Sequence, residues 1–313
     1  MSILNNNLIR ILLILFTLYI IIYIVSKIEC KLCKINTFNV KNDKNSDKMK
    51  LVFISDFHNK KFKHNNDDLI KKIFEINPDY ILLGGDFVDF STFQSKINNV
   101  KYKHTFSFLT KISQKFKEIS DSENYNLKGI YFGFGNHELR LKSRVDNEYL
   151  TNVYNELIEN LKSNDIKILE NNTFQLSNGI SLSGLNLFEG YYNNFFQKKN
   201  MLEHIEKAVL DESFSNINDS NFNIMLFHKP DYCEDLINFG FDLVLSGHNH
   251  GGLINFPFIG PIFSPDLKLF PKYNYGQYSY KEKNVIVSSG IGEHFIKIRV
   301  NNIPEICVIN ING

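Results

Sequence analysis

Five short segments rich in histidine and aspartate, spread over roughly 200 residues, constrain this chain more than anything else in it. They are Ser55-Asp56-Phe57-His58, Gly85-Asp86-Phe87-Val88-Asp89, Gly135-Asn136-His137-Glu138, Phe227-His228-Lys229-Pro230 and Gly247-His248-Asn249-His250-Gly251-Gly252. Each follows an apolar run, at 51–55, 80–83, 130–134, 224–227 and 243–245. Runs without polar alternation suit strands buried on both faces. Amphipathic stretches at 67–76, 106–119, 148–161 and 201–210 read as helices between them, with Pro78 stopping the first. Residues 167–187 and 285–311 read as strand-turn-strand, with Asn178-Gly179 as a hairpin turn. The expected class is α/β, with mixed sheets covered by helices.

In such sheets ligands gather beyond the carboxyl ends of the strands. All five segments sit there, so they can converge on one edge. In Asp-x-His and His-x-His the side chains are two apart, which on an extended backbone aims both to the same side. Asp56, His58, Asp86, Asn136, His137, His228, His248 and His250 then form one constellation. Imidazoles, carboxylates and a neutral amide suit zinc, manganese or iron better than calcium. Two such divalent metal ions can clamp a phosphoryl group and generate a hydroxide for in-line attack. Asp86, the central acidic group, is the expected bridge between them. His137, beside a ligand candidate, is the expected proton donor to the leaving group. Taken singly, each motif is an ordinary surface turn or a satisfied core histidine, and Asp89 is an ordinary helix cap; only their joint order carries chemistry. His64, His104 and His204 fall outside the segments and read as solvated, and His294 is ambiguous. The aromatic and asparagine-rich stretch 191–200 is either a surface loop or a substrate-facing one.

The chain has 313 residues, 43% of them hydrophobic, which is ample for a large core. A net charge of +1 gives no composition argument for a nucleic-acid partner. Residues 11–25, ILLILFTLYIIIYIV, carry no charge; with Leu8, Ile9 and Ile28 they approach the ~20 residues that cross a bilayer. Arg10 and Lys27 can reach headgroups from its ends. A cleaved signal peptide is disfavoured, because no small-x-small site follows the run. Lys27, Lys31 and Lys34 bias the large domain weakly toward the cytoplasm, so the side of the membrane stays open. The expected organisation is an anchor over 1–28, a polar tether over 29–49 and a catalytic domain over 50–312. Cys30 and Cys33 form a C-x-x-C with no second pair or thioredoxin-like context, so no metal or redox role is expected of them. Nothing in the sequence sets an oligomeric state.

These residues resemble the calcineurin-like metallophosphoesterases over about residues 49–312. The resemblance implies a four-layer α/β fold, two mixed β-sheets packed as a sandwich and flanked by helices. It also implies a first metal on Asp56, His58, Asp86 and His250, a second on Asp86, Asn136, His228 and His248, and His137 as the catalytic histidine. The Arg-Gly that follows this block in the family's protein phosphatases is replaced by Phe90-Ser91. Asp89 stands where purple acid phosphatases carry a tyrosine ligand. The pattern is similar to the membrane-anchored bacterial subgroup, which includes phosphodiesterase-like and UDP-diacylglucosamine pyrophosphatase-like members. Residues 247–252, Val287-Ser288-Ser289-Gly290-Ile291-Gly292 and Asn302-Ile303-Pro304-Glu305-Ile306 follow its tail pattern, whereas Asn249 and Leu253 replace its usual threonine and glutamine. The resemblance implies a phosphorylated small-molecule or lipid-linked substrate, with a membrane as partner through the amino-terminal helix. The alternatives are a catalytically silent scaffold on the same fold, or a nuclease or cyclic-nucleotide phosphodiesterase of the same superfamily.

Overall fold

Apolar strand runs need cover on both faces, and the fold supplies it by packing two six-stranded sheets together under helices. The computed structural model describes all residues except 1, 91–99, 121, 123, 178, 193–201, 216, 253, 257–259, 262–268 and 294–297. The chain opens with helix α1 (Ser2–Glu29), then strands β1 (Lys34–Lys41) and β2 (Met49–Ile54), helix α2 (Asp67–Glu75) and strand β3 (Tyr80–Leu83). A short ribbon, β4 (Asp89–Phe90) and β5 (Val100–Lys101), leads to α3 (Lys103–Ile119), β6 (Gly129–Gly133), α4 (Asn136–Ser143), α5 (Glu148–Ser163) and β7 (Lys167–Leu169). The second half runs β8 (Asn172–Gln175), β9 (Ile180–Gly184), α6 (Lys207–Phe214), β10 (Phe222–Leu226), α7 (Cys233–Phe239) and β11 (Leu243–Ser246). It ends with the ribbon β12 (Asn255–Phe256) and β13 (Gly260–Pro261), then β14 (Gly276–Tyr280), β15 (Lys283–Val287) and β16 (Glu305–Asn312).

The first sheet has the order β1-β16-β2-β3-β6-β7, the second β14-β15-β11-β10-β9-β8. In each, four neighbouring strands are parallel: β2, β3, β6 and β7 in the first, β9, β10, β11 and β15 in the second. Alternate side chains separate two layers of core. Leu51, Phe53 and Leu82 face Leu182, Ile224, Leu226 and Leu245 between the sheets. Val52, Ile54, Ile81 and Leu83 turn outward onto Ile73, Phe108, Ile112 and Leu157 of the helices. Helix α5 shows why these segments fold as helices: Leu150, Val153, Leu157 and Leu161 form one buried stripe, and the Asn147 side chain caps Leu150 N at 3.1 Å.

Three expectations need correcting. Residues 29–49 are not simply a tether, because β1 lies within them and pairs in parallel with β16 from Lys34↔Glu305 to Lys41↔Asn312. Its alternation is disguised: Ile35 faces solvent while Asn36 turns inward to Glu305 at 2.6 Å. Residues 285–311 are not a strand-turn-strand unit, since β15 and β16 belong to different sheets. The helix expected at 201–210 is Lys207–Phe214, and Met201 lies outside the described residues. The hairpin is present as β8 against β9, although Asn178 at its turn is outside the described residues.

Candidate metal centre

Loops leaving the carboxyl ends of β2, β3, β6, β10 and β11 meet at one rim. They interlock through the backbone: Asp56 N donates to Gly85 O at 2.9 Å, His58 N to Asp86 O at 2.9 Å, and Gly247 N to His228 O at 3.0 Å. Asp56, His58, Asp86, His248 and His250 have φ of +54°, +46°, +54°, +68° and +49°. L-residues visit this region sparingly, and such strain gathers where surroundings over-determine the backbone for function. Glycine permits the close approach. A Cβ on Gly85 (φ +88°) would stand 2.4 Å from Gly135 N, and one on Gly247 would stand 2.3 Å from Asp56 Oδ2.

All eight expected side chains are buried at this rim. Asp86 Oδ2 lies 3.1 Å from His228 Nε2, 3.8 Å from His137 Nε2 and 3.9 Å from His58 Nε2. Asp56 Oδ1 lies 3.3 Å from His250 Nε2 and 3.7 Å from His228 Nε2, and His58 Nε2 is 3.0 Å from His250 Nε2. Three groups have ligand atoms mutually within 4.8 Å: Asp56, His58 and His250; His58, Asp86 and His137; and Asp86, His228 and His248. Asp86 belongs to two of them.

The remaining hydrogen bonds orient these groups. His137 N donates to Asp86 Oδ1 at 2.8 Å; His248 N donates to Asp56 Oδ1 at 3.0 Å, and Ser55 Oγ to Asp56 Oδ2 at 2.5 Å. His228 Nδ1 donates to Gly84 O at 2.8 Å, so Nε2 is the nitrogen it presents to the cluster. His137 is arranged the other way. Its Nδ1 accepts Phe90 N–H at 2.8 Å, which places the ring proton of the neutral imidazole on Nε2, the nitrogen facing Asp86.

Burial opposes charge on Asp86, yet His228, His137 and His58 hold its carboxyl well below the usual range. Burial also opposes charge on His228, and Asp86 overrides it, raising the imidazole to about 10. Asp56 moves oppositely, raised by burial. Two carboxylates among five imidazoles are expensive to keep from water unless compensated. Cations fit that requirement, and so does Asn136: its Oδ1 is buried with no hydrogen-bond partner among the described residues.

Sequence reading missed two residues here. Glu138, wholly buried, accepts Asp86 N at 2.8 Å and Gly135 N at 2.9 Å on Oε2, and Phe87 N at 2.8 Å and Val88 N at 3.0 Å on Oε1. It clamps the loop that carries Asp86 to the start of α4. Burial and the Asp86 charge raise its carboxyl to about 7 against the pull of those N–H donors. Three residues after Gly135, it accepts the N-cap N–H, which is half of a capping box because glycine has no side chain to return the bond. The other is Tyr192, whose ring meets His248 edge-on at 6.1 Å and whose buried hydroxyl has no hydrogen-bond partner among the described residues. It opens the 191–200 stretch, of which only Tyr191 and Tyr192 are described. His64 and His204 are exposed and pair with Asp68 at 2.9 Å and Asp235 at 3.0 Å, while His104 is half-buried. His294 is outside the described residues. Asp89, a helix-cap candidate in the sequence, heads the β4–β5 ribbon and pairs with Lys101 at 3.3 Å. All four cysteines are free.

Two mixed sheets under helices, with aspartates, histidines and an asparagine gathered at one rim, make an arrangement able to hold metal ions. The chain belongs to the calcineurin-like phosphoesterase family, whose model matches residues 49–252, more than half of its length. It is 29% identical over 269 residues to an uncharacterized metallophosphoesterase of Campylobacter jejuni, covering 85% of this chain and 59% of that protein. It therefore spans about three-fifths of that relative's length. It is 26% identical over 284 residues to the uncharacterized metallophosphoesterase YkuE of Bacillus subtilis, covering 85% and 80% of the two chains. Against the phosphodiesterase YaeI of Escherichia coli it is 25% identical over 270 residues, covering 85% and 83%.

Proposed function

We propose that the chain is a membrane-anchored phosphohydrolase that uses two divalent cations to cleave phosphoester or pyrophosphate bonds of lipid-linked substrates. Asp56, His58, Asp86 and His250 hold one cation; Asp86, Asn136, His228 and His248 hold the other. The position of Asp86 carries this assignment, since one carboxylate oxygen faces imidazoles from three different loops at 3.1 to 3.9 Å. Manganese, zinc or iron suits this donor set. When bound, the cations supply Lewis-acid charge to the phosphoryl oxygens and an ionised water at neutral pH.

The chain's own residues do the rest. As the bond from phosphorus to the leaving oxygen breaks, the proton on His137 Nε2 passes to that oxygen. Phe90 N–H keeps the proton on that nitrogen, and Glu138 keeps the Asp86 loop against the first turn of α4. Burial of the whole cluster strengthens each of these interactions.

The anchor is α1, in which Ile9–Glu29 is long and apolar enough to cross a membrane. A site held at a bilayer suits a substrate that resides there, of the UDP-diacylglucosamine type. The test is hydrolysis by the full chain in detergent with manganese, comparing bis-p-nitrophenyl phosphate, lipid-linked pyrophosphates, nucleotides and sugar phosphates. Manganese-dependent turnover that Asp86→Ala abolishes is expected, with preference for the lipid-linked compounds. Equal use of soluble and lipid-linked compounds removes the lipid substrate. Absence of metal-dependent turnover in both proteins restores the silent-scaffold reading.

A further inference from the structure

Helix α1 is exposed along most of its described length, but Ser26 in its last turn is buried. Ser26 and Cys30 are buried against the domain, and the contacts there are polar and specific. Ser26 Oγ accepts Arg299 N at 3.0 Å. Glu29 accepts Asn301 N at 3.1 Å on Oε1 and Asn302 N at 2.9 Å on Oε2. The Cys30 carbonyl accepts Lys60 Nζ at 2.6 Å, two residues beyond His58. A helix serving only to keep a domain near a bilayer needs none of these bonds.

The residues that α1 grips lead directly to the cluster. Asn302 is buried, and its Nδ2 donates to His250 O and Gly252 O, both at 2.6 Å. It thus pins the turn in which His250 takes φ +49°. Arg299 is also buried, and its guanidinium donates to Ser289 O at 2.9 Å, Gly292 O at 2.8 Å and Asn302 O at 3.2 Å. The loop it closes donates in turn to the backbone around Asp56: Ile291 N to Ser55 O at 3.0 Å and Gly292 N to Asp56 O at 2.7 Å. Backbone held in a strained conformation depends on such partners, and outer partners of a cation site govern how well its ligands are aimed.

We propose that Ser26 and Glu29 are positioning residues for the cation cluster: acting through Arg299 and Asn302, the foot of the apolar helix sets the turns that carry Asp56 and His250. This rests on the reading of Asp56, His58, Asp86 and His250 as ligands of one cation. The other cation shares Asp86 and takes His248 from the same turn as His250, but its Asn136 on α4 and His228 after β10 come from loops other than those Arg299 and Asn302 bond. Tension or displacement at the end of α1 then reaches one half of the pair before the other.

The test is manganese binding to the full chain in detergent, followed by the electron paramagnetic resonance of free manganese, with thermal unfolding recorded alongside. Glu29→Ala and Asn302→Ala are expected to weaken one of two manganese sites by about 10- to 100-fold and the other by less than about threefold. Glu29→Gln, which keeps one acceptor, is expected to fall between parent and Glu29→Ala. If Glu29→Ala does not fold, Ser26→Ala and Glu29→Gln decide, by loosening one manganese or neither. Unchanged affinities in these folded variants, while Asp86→Ala loses manganese, overturn the coupling and leave the cluster assignment standing. Parent-like binding of two manganese ions by Asp86→Ala overturns the cluster assignment itself.

Discussion

Phe53 and Asp56 are three residues apart, yet they belong to two different physical regimes. Phe53 lies with Leu51, Leu82, Ile224 and Leu245 between the sheets, in an apolar layer built on extended backbone. Asp56 lies at the rim with His58, Asp86, His248 and His250, equally shielded from water but polar, charged and left-handed in φ. Strained residues of this kind cost about 1–3 kcal/mol each, and poorly compensated buried charge adds to that. Burying a large apolar side chain contributes about 1.5–3 kcal/mol in the opposite direction. The difference teaches that the interior stabilises the fold while the rim draws on that stability to hold the groups proposed as cation ligands.

Two substitutions sharpen that contrast. The larger effect is expected at His137, where glutamine removes the proposed proton donor. Turnover with manganese should fall by about 10²- to 10⁴-fold, while manganese stoichiometry and thermal unfolding stay near the parent's. Loss of bound manganese in His137→Gln would instead make His137 a ligand, as its place beside His58 and Asp86 also permits. The smaller effect, seen on a different axis, is expected at Leu245. Leu245→Ala in the inter-sheet layer should reduce stability by about 2–5 kcal/mol in urea titrations, with turnover per folded molecule nearly unchanged. A large activity loss at full folding would show that interior and rim are not separable.

The sequence was most legible where physical pattern and chemistry coincided. The apolar runs of three to five residues fall in the parallel strands β2, β3, β6, β10 and β11, because strands covered on both faces have no alternation to obscure. The motif residues immediately after them converge as expected, because parallel strands place their carboxyl ends together. Strand β1 was hidden because it is an edge strand, with apolar Ile35 outward and Asn36 inward, so composition alone reads it as polar linker. The separation of β15 from β16 was illegible because it depends on which sheet each strand joins, a property of the whole sandwich. Arg299 carried no signature, and Asn302 was legible only as the first residue of the tail pattern 302–306. Their importance lies in carbonyls contributed by residues far away in sequence, among them Ser289, Gly292, His250 and Gly252. Glu138 alone among the missed residues left a spacing signal, three positions after Gly135.

Anomalous diffraction from crystals grown with manganese addresses the shared carboxylate most directly. The account requires two peaks per chain, one among Asp56, His58 and His250, the other among Asn136, His228 and His248, with Asp86 in contact with both. A single peak, or two peaks with Asp86 touching neither, would contradict it.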